Sequence, residues 1–130
     1  SEYFVRRDHA TAALRAIDDL GPALEPAIRM AEVRTVAGDD AWLSPFRGDT
    51  LALHFSWRIN RWPAVRDVLP VLEAALAPFD PVPHWGKLYA MTPDVVRAGY
   101  PRFDDFVDLA NECDPDRRFR NRHLADHLGP

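Results

Sequence analysis

Lysine, cysteine and methionine are nearly missing from this 130-residue chain, which holds one, one and two of them respectively. The lone Cys113 leaves no partner for an internal disulfide and no multi-cysteine zinc site, and it fits a reducing, cytoplasmic setting. No apolar run approaches the ~18–20 residues of a membrane-spanning helix, and the opening Ser-Glu-Tyr-Phe-Val-Arg-Arg lacks the layout of a signal peptide. A glycine-rich phosphate loop, a serine nucleophile elbow and a Cys-His pairing are also missing. Basic residues are not in excess: 16 Lys plus Arg against 20 Asp plus Glu give a net charge of −4. That balance disfavours a dedicated nucleic-acid binder, whose affinity comes from neutralised phosphates.

What is present is ordinary globular composition, 47% hydrophobic and 28% charged. Against a prior of ~100–200 residues per domain, one domain is expected. The chain opens on Ser1 rather than Met and enters a strand-like run at once, which leads us to expect a longer polypeptide. Fifteen of the 16 basic residues are Arg and the sole lysine is Lys87. Two readings of that count stay open: usage bias on a surface strand, or a group chosen for what a guanidinium cannot do.

Ser1 to Arg6 predicts a strand, and Asp8 to Leu20 a helix with Ala13, Leu14, Ile17 and Leu20 at helical spacing. Gly21-Pro22 predicts its stop, Ile28 to Ala37 a second strand, and Gly38 to Asp49 a long loop partly tucked through Trp42, Leu43 and Phe46. The clearest strand is TLALHFSW, Thr50 to Trp57, with Leu51, Leu53, Phe55 and Trp57 on one side and Thr50, Ala52, His54 and Ser56 on the other. Asn60 is expected to cap the next helix, with Pro63 in its first turn, an apolar stripe of Val65, Val68, Leu69, Leu72 and Leu76, and a kink at Pro70. His84 to Tyr89 (HWGKLY) reads as a short strand in which Gly86 allows close backbone approach. The order is β-α-β twice, the split motif of an α+β, ferredoxin-like βαββαβ sandwich: one antiparallel sheet, helices on one face, the other face open. Beyond this core of residues 1–90, the tail 91–130 reads as helical: a start at Thr92-Pro93-Asp94, then Phe103 to Cys113, then Arg122 to Leu128.

The open face is where chemistry collects. Glu32 and Arg34 are two residues apart on one strand, as are His54 and Ser56 on its neighbour, and Lys87 sits on the last strand. An acid, two cations, an imidazole and a hydroxyl can hold a polyhydroxylated ligand and stabilise a developing alkoxide. The competing reading is a solvated sheet face with an intrastrand ion pair, or a hydrogen-bonded core histidine at His54.

Two further clusters carry less. His123 and His127 stand four apart beside Asp126, a zinc-like spacing, but HLADH replaces the zincin HExxH and no third ligand is evident, so no metal is expected. Arg117, Arg118, Arg120 and Arg122 read as a solvated helix end rather than an RNA contact.

Taken together, EVRTVAGDDAWLSP, LALHFSW, PHWGKL and the closing DPDRRFRN-RHL run resemble the C-terminal part of the FAD-linked alditol oxidases and sugar-1,4-lactone oxidases of the vanillyl-alcohol-oxidase superfamily. The resemblance runs from Ser1 to the end. It implies a single cap or substrate domain, residues 1–130, whose polar sheet face closes over FAD held by an N-terminal domain of the same polypeptide. By position, Glu32 and Arg34 match the family's substrate-binding acid and arginine, and His54 the histidine of its A-L-H-F strand. Ser56 stands where members have threonine, keeping the hydroxyl and losing the methyl. His84 and Lys87 match the histidine and lysine of H-W-G-K, beside the flavin and the oxidised alcohol, and Asn121 the terminal motif that packs on the flavin domain. Lys87 and Arg34 are thus the implied catalytic cations. The implied reaction is oxidation of a sugar alcohol or aldono-1,4-lactone with hydride transfer to flavin and reduction of dioxygen to hydrogen peroxide. The alternative is a freestanding ferredoxin-like ligand-binding or dimerisation module without catalysis.

Overall fold

Alternation decides the sheet. In β3 (Thr50–Trp57), Leu51, Leu53 and Phe55 turn to one side and are buried, and β1 (Glu2–Arg6) matches them with Tyr3 and Val5. The computed structural model describes residues 1–129 and pairs these strands antiparallel, Tyr3 opposite Leu53 and Val5 opposite Leu51. β2 (Ile28–Val36) adds to the free side of β3, and the two-residue β4 (Val82–Pro83) to the free side of β1. The strand order β2-β3-β1-β4, antiparallel throughout, is the split β-α-β arrangement expected of this α+β chain.

Two helices cover one face. α1 (Ala10–Asp19) contributes Ala13, and α3 (Trp62–Leu76) contributes Leu72 and Leu76 to the core around Tyr3, Val5, Leu51, Leu53 and Phe55. A neighbouring cluster joins Val65, Val68 and Leu69 to Leu24 and Ala27. The tail of α4 (Pro93–Ala98), α5 (Phe103–Cys113) and α6 (Arg122–Leu128) closes a third cluster, in which Val96, Tyr100, Phe103 and Leu128 meet Val82 of β4.

Several local expectations are corrected. HWGKLY is not a strand: β4 ends at Pro83 and the chain turns, because His84 Nδ1 accepts the Gly86 N–H at 3.0 Å, a local bond that competes with the ladder. A Cβ on Gly86 would stand 3.5 Å from the His84 ring, an ordinary contact, so no close backbone approach needs that glycine. α1 stops at Asp19, directly ahead of Gly21-Pro22 as expected, but these two residues also open a further short helix, α2 (Gly21–Leu24), with the proline in its first turn. Asn60 lies in a 3-10 turn (Ile59–Arg61) ahead of α3 and caps nothing. Leu14 is half out of the core.

The open face is also smaller than alternation implies. Thr50, Ala52 and Phe4 on that side are buried, and Phe46 of the 38–49 loop meets Phe4 edge-on at 5.1 Å. The loop folds back on itself where Gly38 and Gly48 touch; a Cβ on Gly38 would fall 2.5 Å from Gly48 Cα. Arg102, 4.4 Å over the Trp42 ring, pins it to the start of α5. Only the half of the sheet beyond this loop stays open.

Candidate active site

On that open half, Glu2 of β1 stands directly opposite His54 of β3, and His54 opposite Glu32 of β2. Three strands therefore contribute one transverse row, and the pleat brings Arg34 and Ser56 to the same side. Lys87 reaches the row from the turn after β4, which is fastened at several points. The His84 N–H donates to the Glu2 carbonyl at 2.9 Å and the Lys87 N–H to the His84 carbonyl at 3.1 Å. Ser1 Oγ donates to the Leu88 carbonyl at 2.6 Å, and the Ala90 N–H to Glu73 at 2.6 Å.

Charge converges on Glu2, which is only 6% exposed. Its Oε2 accepts from Lys87 Nζ at 2.7 Å, and its Oε1 accepts from Arg34 at 3.4 Å and lies 3.8 Å from His54 Nδ1. Arg34 spans Glu2 and Glu32, and Lys87 Nζ lies 3.0 Å from His54 Nδ1. His54 Nε2 lies 3.3 Å from Ser56 Oγ. Glu32, Arg34, His54, Ser56 and Lys87 thus meet on one wall, as the sequence predicts. Glu32 and Arg34 form the solvent-exposed intrastrand ion pair of the competing reading, whereas Glu2, His54 and Lys87 are buried or part-buried beside it.

The electrostatics follow from that burial. Burial alone would raise the Glu2 carboxyl; the hydrogen bond and charge of Lys87, with His54 and His84 behind it, reverse this and hold it below the usual carboxylate range. Burial pushes the His54 imidazole down, and the Lys87 ammonium adds to the shift, outweighing the opposite pull of Glu2. Near neutral pH Glu2 is therefore a carboxylate and His54 a neutral imidazole.

Sequence reasoning missed Glu2. Its signal was the alternation within EYFVR, which sends Tyr3 and Val5 to the core and Glu2 to the side of His54, but a first strand residue is easily read as a fraying end. Of the other two predicted residues, His84 borders the wall, its ring 6.2 Å from Phe4, while its Nδ1 is taken by its own turn. Asn121 takes no part in the network. Its Oδ1 accepts the Leu124 N–H at 2.9 Å and caps α6, which accounts for the residue type locally.

Among the described residues, no group of three His, Cys, Asp or Glu side chains could hold a metal ion. His123 and His127 instead share the Tyr89 hydroxyl, at 3.4 and 3.0 Å, and His127 donates Nδ1–H to the His123 carbonyl at 2.9 Å. With Trp85 packed on both rings, α6 is tied to the turn that carries Lys87. Arg118 pairs with Asp116 at 3.1 Å, and Arg120 donates to Asn111 and to the Gly129 carbonyl. A cavity of about 700 Å³ between α3 and α4, lined by Glu73, Met91 and Val95 among others, shares no residue with the wall. Among the described residues, no helix is long and apolar enough to cross a membrane.

The chain is 47% identical over 129 residues to an alditol oxidase of Streptomyces sp., an overlap of 98% of this chain and 31% of that protein. It is 32% identical over 133 residues to an L-gulono-1,4-lactone dehydrogenase of Mycobacterium tuberculosis, covering 99% of this chain and 30% of that protein. It thus spans about a third of the length of these relatives. The sequence profile described as D-arabinono-1,4-lactone oxidase matches residues 1–127, and the chain belongs to that family.

Proposed function

We propose that this chain is the substrate-side domain of an FAD-dependent oxidase that oxidises a sugar alcohol or an aldono-1,4-lactone, with the FAD-binding domain elsewhere on the same polypeptide. The observation that carries this reading is the convergence of Glu32, Arg34, His54, Ser56 and Lys87 around Glu2 on the side of the sheet away from the helices. Family membership over residues 1–127 favours it over a freestanding module.

The donor set suits a flavin neighbour. A ring that gains negative charge on reduction is best met by fixed cations at the edge of a desolvated wall, and Lys87 and Arg34 are such cations, with His84 beside them. FAD, when bound, would take the hydride from the carbinol carbon and pass two electrons to dioxygen, giving hydrogen peroxide.

The chain's own residues would do the rest. Glu32 can only accept when ionised, so it would take a hydroxyl proton of the substrate in a hydrogen bond while Arg34 donates to the same or the adjacent oxygen. Ser56 would bind a hydroxyl further along the carbon chain. Arg34 and Lys87 would place positive charge where the carbinol oxygen gives up its proton to water; one such donor is worth ~2.7–4 kcal/mol of barrier.

The test is anaerobic flavin reduction in the full-length protein, with a panel of polyols and aldonolactones. Wild type should be reduced by at least one of them and release peroxide in air. Lys87→Met should slow reduction by roughly 100-fold or more, and an unchanged rate would remove Lys87 from the mechanism.

A further inference from the structure

Glu2 belongs to no role so far assigned, yet Lys87, Arg34 and His54 all reach it. A lysine ammonium has three N–H donors and nothing that accepts. Lys87 gives one to Glu2 Oε2 at 2.7 Å and stands 3.0 Å from His54 Nδ1, so Nδ1 must be the accepting, unprotonated nitrogen. The imidazole then carries its single hydrogen on Nε2, which can only donate to Ser56 Oγ at 3.3 Å. Ser56, having accepted there, keeps its own O–H, and Lys87 keeps its third N–H. Both are left for whatever occupies the open wall.

We propose that Glu2 is a positioning residue that holds Lys87 as an ammonium and so sets the direction of the Lys87–His54–Ser56 chain, leaving Ser56 as a hydrogen-bond donor to substrate. This rests on the oxidase reading for what the two free donors meet. Its consequence is a polarity rule along the substrate: an oxygen facing Ser56 accepts, whereas an oxygen facing Glu32 must carry a hydrogen. A free hydroxyl satisfies both places, whereas a ring oxygen or carbonyl satisfies only the first. Glu2 acts from beneath Arg34, Lys87 and His54, with Glu32 on β2, His84 on the β4 turn and the Ser1 amino group, itself pushed down to about 6 by burial and by Lys87, as the remaining charged or titratable neighbours. Removing its charge leaves the wall one carboxylate short of balancing its cations, so the wall as a whole holds protons less tightly.

Two measurements on the full-length flavoprotein test this. The first reads the His54 tautomer in wild type from long-range ¹⁵N–¹H correlation of ¹⁵N-histidine-labelled protein, with the signal assigned by its loss in His54→Asn. Hydrogen on Nε2 is expected, and hydrogen on Nδ1 overturns the proposal. The second follows flavin reduction by a polyol against pH in wild type and Glu2→Gln, an isosteric change. The variant should be reduced ~10-fold or more slowly, with the alkaline limb of its profile moved about one pH unit or more to lower pH. A slower variant whose alkaline limb stays in place would mean a merely structural role and overturns the proposal. If Glu2→Gln does not retain flavin, the wild-type tautomer decides. Wild type that no polyol or lactone reduces overturns the oxidase reading instead, while the tautomer still judges the hydrogen-bond direction.

Discussion

Replacing Tyr3 by Phe isolates the other buried carboxyl of the fold. Tyr3 is fully buried, and its hydroxyl donates to Glu73 Oε1 at 2.7 Å; Glu73 is 8% exposed, and the same oxygen accepts the Ala90 N–H. Burial pushes the Glu73 carboxyl above its ordinary range, and the Ala90 N–H and the Tyr3 hydroxyl work against that shift. With the folded-state value raised, the stability tied to this group is fully present below the unfolded value and is lost as pH rises through the folded one. Tyr3→Phe removes one of the two opposing donors, so ionised Glu73 becomes costlier still. The lost bond is worth ~1.5–3 kcal/mol to an ionised acceptor and ~0.5–1.5 kcal/mol to a neutral one. Urea unfolding followed by tryptophan fluorescence should therefore show a larger penalty at about pH 8 than at about pH 4. Because both bonds arrive on one oxygen, Glu73→Gln can keep them, and in that background the Tyr3→Phe penalty should no longer vary with pH. An equal or smaller penalty on the alkaline side in wild type would refute the reasoning.

Two further changes probe how the wall is framed. Gly38→Ala puts a Cβ 2.5 Å from backbone that cannot yield, so the 38–49 loop should lift from Phe4, at ~1–3 kcal/mol, and be cut faster by protease between Gly38 and Asp49. Leu72→Ala, at a fully buried position between α3 and the sheet, should cost ~2–5 kcal/mol in urea titration with an unchanged slope; a loss under ~1 kcal/mol would mean that α3 is not seated on this face.

The amino-acid sequence by itself determined the elements and their order. TLALHFSW alternates so that Leu51, Leu53 and Phe55 share one apolar side, and the stripe Val65, Val68, Leu69, Leu72, Leu76 reads as a helix packed on it. Two β-α-β units of this kind admit few arrangements, so the split sheet was legible, and with it the shared side of Glu32, Arg34, His54 and Ser56. Misread were features set by single local bonds. HWGKLY carries strand-forming residues, but one His84 side-chain acceptor is enough to turn the backbone there. Only the tertiary structure decided that Glu2, at the chain's first strand position, lies under Lys87 from 85 residues away. It also decided that the 38–49 loop seals half the sheet and leaves the other half open. Period and propensity describe neighbours along the chain, whereas a buried carboxylate finds its cation across strands, where register and burial set the distance.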